Sequence, residues 1–253
     1  MIQTAYSSSI GRVRKTNQDF VRVFKNKKDI TMAIVCDGIG GHQGGDVAST
    51  MVVSHLGHHF GQTDFTNSQA AKSWLEVQLK LENATLLATG DRFSDLNGMG
   101  TTIVVLLAFD NEVLVAHLGD SRAYAYADGQ FKQLTEDQSL VNELVKMGQI
   151  TKEQARTHPQ KNIITETLGV SSSINPEYDT VPAKRGSLFL LCTDGLTNSL
   201  ADEQIQQILA TKSYSLADKC HRLITEANRL GGDDNITVCL LSYTAKDVKP
   251  SDR

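Results

Sequence analysis

The stretch Ala33-Ile34-Val35-Cys36-Asp37-Gly38-Ile39-Gly40-Gly41-His42 decides how this chain is read. Four apolar residues run into an acid, then into a loop with three glycines in four positions. A short apolar run ended by turn residues reads as a strand buried on both faces. Its last residue, Asp37, is thereby delivered to the rim of a core. The glycines let a ligand or ion approach the main chain closely. The arrangement recurs far downstream at Leu188-Phe189-Leu190-Leu191-Cys192-Thr193-Asp194-Gly195.

Working outward, residues 3–8, Asp19 to Phe24 and Ile30 to Cys36 are predicted strands. The first two flank a polar turn, Gly11 to Asp19, that carries Arg12, Arg14 and Lys15. Helical spacing of apolar residues marks Asp46 to Phe60 and Ser68 to Ala88. A β-rich block follows, with hairpins turning at Asp110-Asn111 and Asp128-Gly129 and with Gly119-Asp120-Ser121-Arg122 between them. A helix over 138–148 precedes a polar excursion, 148–168, that holds a short helix at 151–156 and reads as a surface flap. Strand Ser187 to Thr193, helices near 202–211 and 214–229, and strand Ile236 to Leu241 complete one domain, 1–245, with a polar tail at 246–253. Hairpin-rich strands with paired helices, lacking regular βα alternation, indicate an α+β sandwich of mainly antiparallel sheets.

Composition excludes several classes. The chain has 253 residues, is 40% hydrophobic and carries a net charge of −4 without a basic run, which argues against a nucleic-acid partner. The start of the sequence has no signal-peptide pattern, and the apolar run Ile103 to Phe109 is too short for membrane insertion. Cys36, Cys192, Cys220 and Cys239 are widely spaced and read as core residues of a reducing compartment, so the expected location is cytoplasmic. The loop 38–45 matches neither dinucleotide nor P-loop fingerprints, and no G-x-S-x-G nucleophile occurs. His55, His58 and His59 read as a cluster that complements a helix C-terminus.

Asp37, Asp120, Asp194 and Asp234 share one description: an acid at a strand end, in a glycine-containing turn. If sheet edges bring them together, they repel, and all remain ionised only with compensating cations. Oxygen ligands favour Mg²⁺ or Mn²⁺ over Zn²⁺. Two such ions ~3.5–4 Å apart activate water and clamp a phosphoryl group, and Arg14 offers the planar fork that grips phosphate oxygens. Taken singly, each acid reads as an ordinary turn residue. Taken together, the residues leave turns and metal site evenly balanced.

Six motifs in order tip that balance: Arg14-x-x-Asn17-Gln18-Asp19, Asp37-Gly38-Ile39-Gly40-Gly41-His42, Gly98-x-Gly100-Thr101-Thr102, Gly119-Asp120-Ser121-Arg122, Thr193-Asp194-Gly195-Leu196 and Asp234-Asn235-Ile236-Thr237-Val238. Leu134-Thr135-x-Asp137, and His158-Pro159 with Leu168-Gly169, join them. From about residue 7 to 242 the chain resembles the bacterial metal-dependent serine/threonine phosphatases of the 2C type. It is similar in particular to stand-alone Gram-positive members that oppose membrane-anchored serine/threonine kinases. The resemblance implies an αββα sandwich, a monomer, and phosphorylated proteins, such a kinase included, as partners. It implies hydrolysis of phosphoserine and phosphothreonine by a metal-bridging hydroxide at a binuclear Mn²⁺ or Mg²⁺ centre. Asp37 would bridge the ions, the Gly38 carbonyl would bind one, and Asp194 with Asp234 would hold the other. Asp19 would act through water, Asp120 with Asp194 would form a third site, and Arg14 would bind phosphate. Two departures stand out: Ile39 replaces the histidine of many eukaryotic members, a proposed general acid, and Gln18 replaces an acid before Asp19. His42 and His158 are the remaining candidates for a proton donor. A binding module without catalysis, and a member dedicated to one partner, are the alternatives.

Overall fold

The computed structural model describes residues 1–40 and 44–244; Gly41, His42, Gln43 and the expected polar tail lie outside the described residues. The chain opens with three strands, β1 (Ile2–Ser9), β2 (Asp19–Lys25) and β3 (Thr31–Ile39), then two long helices, α1 (Gly44–Gly61) and α2 (Ser68–Arg92). A two-residue strand, β4 (Gly100–Thr101), leads into the hairpins β5 (Ile103–Ala108)/β6 (Glu112–Leu118) and β7 (Arg122–Ala127)/β8 (Gln130–Gln133). Short helices α3 (Leu140–Lys146) and α4 (Lys152–Thr157) precede β9 (Glu177–Pro182) and β10 (Leu188–Cys192). Helices α5 (Asp194–Thr197), α6 (Asp202–Ala210) and α7 (Leu216–Arg229) lead to β11 (Ile236–Tyr243).

The strands form two antiparallel sheets, ordered β1-β11-β10-β7-β8 and β2-β3-β5-β6-β9, with β4 beside β3. The decisive stretch shows why they stack. Met32, Ile34 and Cys36 face a core shared with Val52, Leu56, Leu75 and Leu79 of α1 and α2. Ala33 and Val35, on the opposite face of β3, pack against Phe189, Leu191, Cys239 and Leu241 of the other sheet. Alternate residues of one strand thus fill two different apolar layers, which is what makes the run continuously hydrophobic. A third layer joins Leu188, Leu190, Val238 and Leu240 to Ile205, Leu209, Leu223 and Ala227 of α6 and α7. The result is the expected αββα sandwich. Each fully buried aliphatic side chain contributes about 1.5–3 kcal/mol, so all three layers are needed to hold the polar rim in place.

Most expected elements are present, with the ends shifted by a few residues. Asp128 (φ 53°) and Gly129 (φ 78°) make the tight hairpin turn their dipeptide predicts. All four cysteines are buried and free. Three differences have physical causes. Strand β9 falls where no element is expected; it pairs only with β6, its residues are largely exposed, and it ends in Pro182. The helix expected over 138–148 is the shorter α3, because Ser139 caps it by accepting from the Asn142 N–H. Asp194 lies not in a turn but at the first position of α5. The segment 148–168 contains α4 and is tied down at its end, where Leu168 and Thr101 exchange main-chain hydrogen bonds of 2.9 and 3.0 Å.

Candidate active site

The antiparallel register of β2 and β3 sets Asp19 directly opposite Asp37. Facing like charges destabilise a strand pair, so this register needs support from elsewhere. Buried Thr101 and Thr102 supply it for Asp37. The Thr102 N–H and the Thr101 hydroxyl each donate to the Asp37 carbonyl at 2.9 Å, and the Asp37 N–H donates to Thr102 Oγ1 at 3.1 Å. Thr193 does the same for Asp19, its hydroxyl donating to Oδ2 at 2.8 Å while accepting from the Thr237 N–H at 3.0 Å.

Two glycines bring separate elements into backbone contact. A Cβ on Gly38 would stand 2.0 Å from the Gly45 carbonyl oxygen, so the end of β3 lies on the first turn of α1. A Cβ on Gly195 would stand 1.9 Å from the Asn235 carbonyl oxygen, so α5 rests directly on the segment that carries Asp234. Only the absence of a side chain permits either approach. Asn235 is the hub of that segment. Its Oδ1 accepts from the Gln18 N–H at 2.8 Å, and its Nδ2 donates to the carbonyls of Ile10 and Thr16 at 2.9 and 3.0 Å. The loop bearing Arg14 is therefore stapled to the start of β11. Arg14 itself is half-exposed, and its Nη2 donates to Asp234 Oδ2 at 2.7 Å.

The carboxylates form one electrostatic unit. Burial raises the pKa of Asp37 well above the usual range, and repulsion from Asp19, Asp194, Asp120 and Asp234 raises it further. Asp19 is pushed up to about 7, chiefly by burial, with hydrogen bonds from Thr237 and Thr193 opposing and Asp194 and Asp234 reinforcing. Burial likewise raises Asp120, with Asp194 the next cause, and raises Asp194, with Asp234 the next. Arg14, bonded to Asp234 and within the fields of Asp37 and Asp194, is held in its charged form. Five of the predicted carboxylates, Gly38 and Arg14 thus come together at one rim.

Oxygen Oδ1 of Asp19, of Asp120 and of Asp194 is buried without a hydrogen-bond partner. Buried acceptors are ordinarily satisfied. Three orphaned carboxylate oxygens in one cluster, whose ionised forms repel, match the donor chemistry of hard divalent cations. Among the described residues, no three His, Cys, Asp or Glu side chains by themselves make up a cage for an ion. A fit therefore leaves places for main-chain carbonyl and water oxygens, as Mg²⁺ requires.

A groove of about 590 Å³ opens beside the cluster, lined by Asp120 and Asp194 together with residues of α3, α4 and the 148–168 segment. Its lining includes a two-pronged ion pair, Arg122 Nε and Nη2 to Asp137 at 2.7 and 2.5 Å. Burial works against the Arg122 charge, and the Asp137 fork outweighs it. Of the two candidate proton donors, His42 lies outside the described residues, and His158 ends α4, is absent from the lining of the groove, and accepts at Nδ1 from the Gln160 N–H. Ile39 packs near Gly100 and has no proton to give. The Gln18 amide donates to the Gly40 carbonyl at 3.4 Å.

Sequence reasoning passed over the supporting residues Thr101, Thr102, Thr193, Thr237 and Asn235 as mere parts of motifs. The one signal available was position, since each lies within three residues of a predicted acid or in the Gly-Thr-Thr run.

Comparison with known proteins follows the same outline. The family profile described as Protein phosphatase 2C matches residues 9–229. The chain is similar to protein phosphatase PhpP of Streptococcus pneumoniae, 41% identical over 242 residues that span 96% of this chain and 98% of that one. Among solved structures it is similar to the S. agalactiae serine/threonine phosphatase, with a TM-score of 0.93 and 40% identity over 97% of this chain and 100% of that chain. It is also similar to the catalytic domain of serine/threonine protein phosphatase PstP, solved with two manganese ions, with a TM-score of 0.85 and 33% identity over 96% and 99% of the two chains.

Proposed function

The chain belongs to the protein phosphatase 2C family and is a metal-dependent serine/threonine protein phosphatase, and on that premise we propose how its own residues do the work. Asp37, the Gly38 carbonyl, Asp194 and Asp234 would hold two Mn²⁺ or Mg²⁺ ions. Asp19 would act on them through water, and Asp120 with Asp194 would offer a third, weaker site. The observation that carries this reading is the set of three buried, partnerless oxygens on Asp19, Asp120 and Asp194. When bound, such a pair supplies a water of lowered pKa and positive charge against the phosphoryl oxygens.

The remaining roles belong to the protein. Thr101 and Thr102 fix the main chain of Asp37, so its carboxylate meets its ligands at little entropic cost. Arg14 orients the phosphoryl group with its fork, swinging from Asp234, which it contacts here at 2.7 Å. Its loop is anchored by Asn235, so the swing is confined to the side chain. With isoleucine at position 39, the leaving oxygen takes its proton from water.

The substrates are phosphoserine and phosphothreonine in proteins, and we place a serine/threonine kinase among them. We take the working unit to be a monomer, built as one domain over 1–245. No helix among the described residues is long and apolar enough to cross a membrane, and net charge −4 offers nothing to nucleic acid. We assign the protein to the cytoplasm.

Hydrolysis of para-nitrophenyl phosphate in Mn²⁺, in excess EDTA, and by the Asp37→Asn and Asp194→Ala variants tests the centre. Activity should require the metal and fall by about 10²-fold or more in either folded variant. Near-normal turnover by Asp37→Asn would refute the ligand assignment.

A further inference from the structure

The groove beside the rim is within the range of about 300–1,000 Å³ seen for pockets that enclose whole ligands, far more than a phosphoryl group fills. Its lining carries both signs of charge. Asp120 and Asp194 belong to the rim, and Lys152 and Arg156 of α4 and Lys161 just beyond it line the same groove. Of the other charges on the groove, Asp137 and Lys146 are held in ion pairs, while Asp202 enters none among the described residues. Asp137 is forked by Arg122, and Lys146 lies 3.3 Å from Glu136 and 3.4 Å from Glu143. Glu153, next to Lys152, is engaged with Thr151 at the start of α4, and the Lys152 charge acts on it more weakly without a direct ion pair. Among the described residues, Lys152, Arg156 and Lys161 enter no ion pair. Lys152 and Arg156 are exposed, Lys161 is half-buried, and all three line one cavity continuous with the rim.

We propose that Lys152, Arg156 and Lys161 form a second anion subsite, which seats a negatively charged residue of the substrate peptide while its phosphoryl group is held at the rim. The inference rests on the phosphatase reading of that rim. Its ligand is an acidic side chain or a second phosphorylated residue, both of which present oxygens to lysine and arginine donors. The groove that leads from the rim carries three cations that enter no ion pair, so an acidic or phosphorylated neighbour of the scissile phosphate meets matching charge there. The enzyme accordingly favours phosphorylated residues with acidic or phosphorylated neighbours, and this selectivity fades as salt rises.

The test uses three phosphothreonine peptides of equal length, flanked by alanines, by glutamates, or by a second phosphothreonine. Each is read as kcat/KM relative to para-nitrophenyl phosphate, which has nothing to place in the subsite. Wild-type protein in Mn²⁺ should prefer both anionic peptides to the alanine peptide. The triple variant Lys152→Ala/Arg156→Ala/Lys161→Ala should lose that preference by about tenfold. A drop confined to the doubly phosphorylated peptide would identify phosphate as the ligand, and an equal drop on both would identify negative charge. Charge reversal to glutamate at the same three positions should turn the preference toward lysine-flanked peptides. The subsite is refuted if wild type does not distinguish anionic from alanine peptides, or if the triple variant keeps the wild-type ratio. A folded wild type inactive even on the aryl phosphate would overturn the reading of the rim, and the subsite with it, which is a separate and recognisable failure.

Discussion

At the scale of single residues, the acids are held by neighbours that touch no substrate. Thr193 is the clearest, since one hydroxyl serves Asp19 and the Thr237 N–H together. Thr193→Val leaves the Thr237 N–H buried and unpaired and takes from Asp19 one of its two hydrogen bonds, which should cost about 1–3 kcal/mol in urea denaturation, whereas Thr193→Ser should remain close to wild type. Asn235 is satisfied by three bonds to the Arg14 loop and Gln18. Asn235→Asp keeps the acceptor but loses both donors, and we expect kcat/KM to fall by about tenfold or more through a misplaced Arg14. If that variant retains full activity, the loop does not depend on the staple. The acids themselves were legible because each ends an apolar run. Their supports were not, because a threonine on a strand carries no mark of the hydroxyl's partner until register is known.

At the scale of elements, legibility followed burial. Strand β3 announced itself because both of its faces are covered, while β9 was silent because it lies at a sheet edge with polar, exposed residues. Helix α5 was read as a turn since Gly195 looked like a turn residue, yet that glycine exists to admit the Asn235 carbonyl. Gly195→Ala should therefore push α5 away from β11 and cost more than about 3 kcal/mol, measurable by thermal denaturation. His58 and His59 lie in the last turn of α1, whereas His55, expected to belong with them, reaches α2, its Nδ1 3.0 Å from the buried Glu82 carboxylate. Burial raises Glu82, with the His55 contact opposing. An acid raised in the folded state binds more protons there than in the unfolded chain, so its contribution declines as pH climbs through the carboxylate range. Glu82→Gln, which cannot titrate, should gain stability relative to wild type between pH 4 and pH 7. A pH-independent difference in urea melts would rule this out.

For the whole molecule, the same sign applies on a larger scale. Asp19, Asp37, Asp120 and Asp194 are all raised in the protein free of ions. That form should lose stability as pH rises from about 4 through about 7, where Asp19 titrates. Divalent ions take the place of those protons, so Mn²⁺ should raise Tm more at pH 8 than at pH 5. Equal increments at both values would show that the cluster does not bind the ions. The sandwich itself was legible as a whole because hairpins and helix pairs leave few alternatives, whereas the groove was not, since residues far apart in sequence, from Asp120 to Asp202, line it together. One pairing reaches further still. Among the described strands β1 has β11 as its only neighbour, and the Met1 amine donates to the Thr244 carbonyl at 3.0 Å. Translation delivers β11 after every other described element, so β1 waits unpaired until all of them have been made. Asp234 and the anchor for the Arg14 loop arrive with that same strand. A nascent chain on the ribosome is therefore inert until its final strand docks, and a permuted gene that joins residue 244 to residue 1 would let the two partners meet at once.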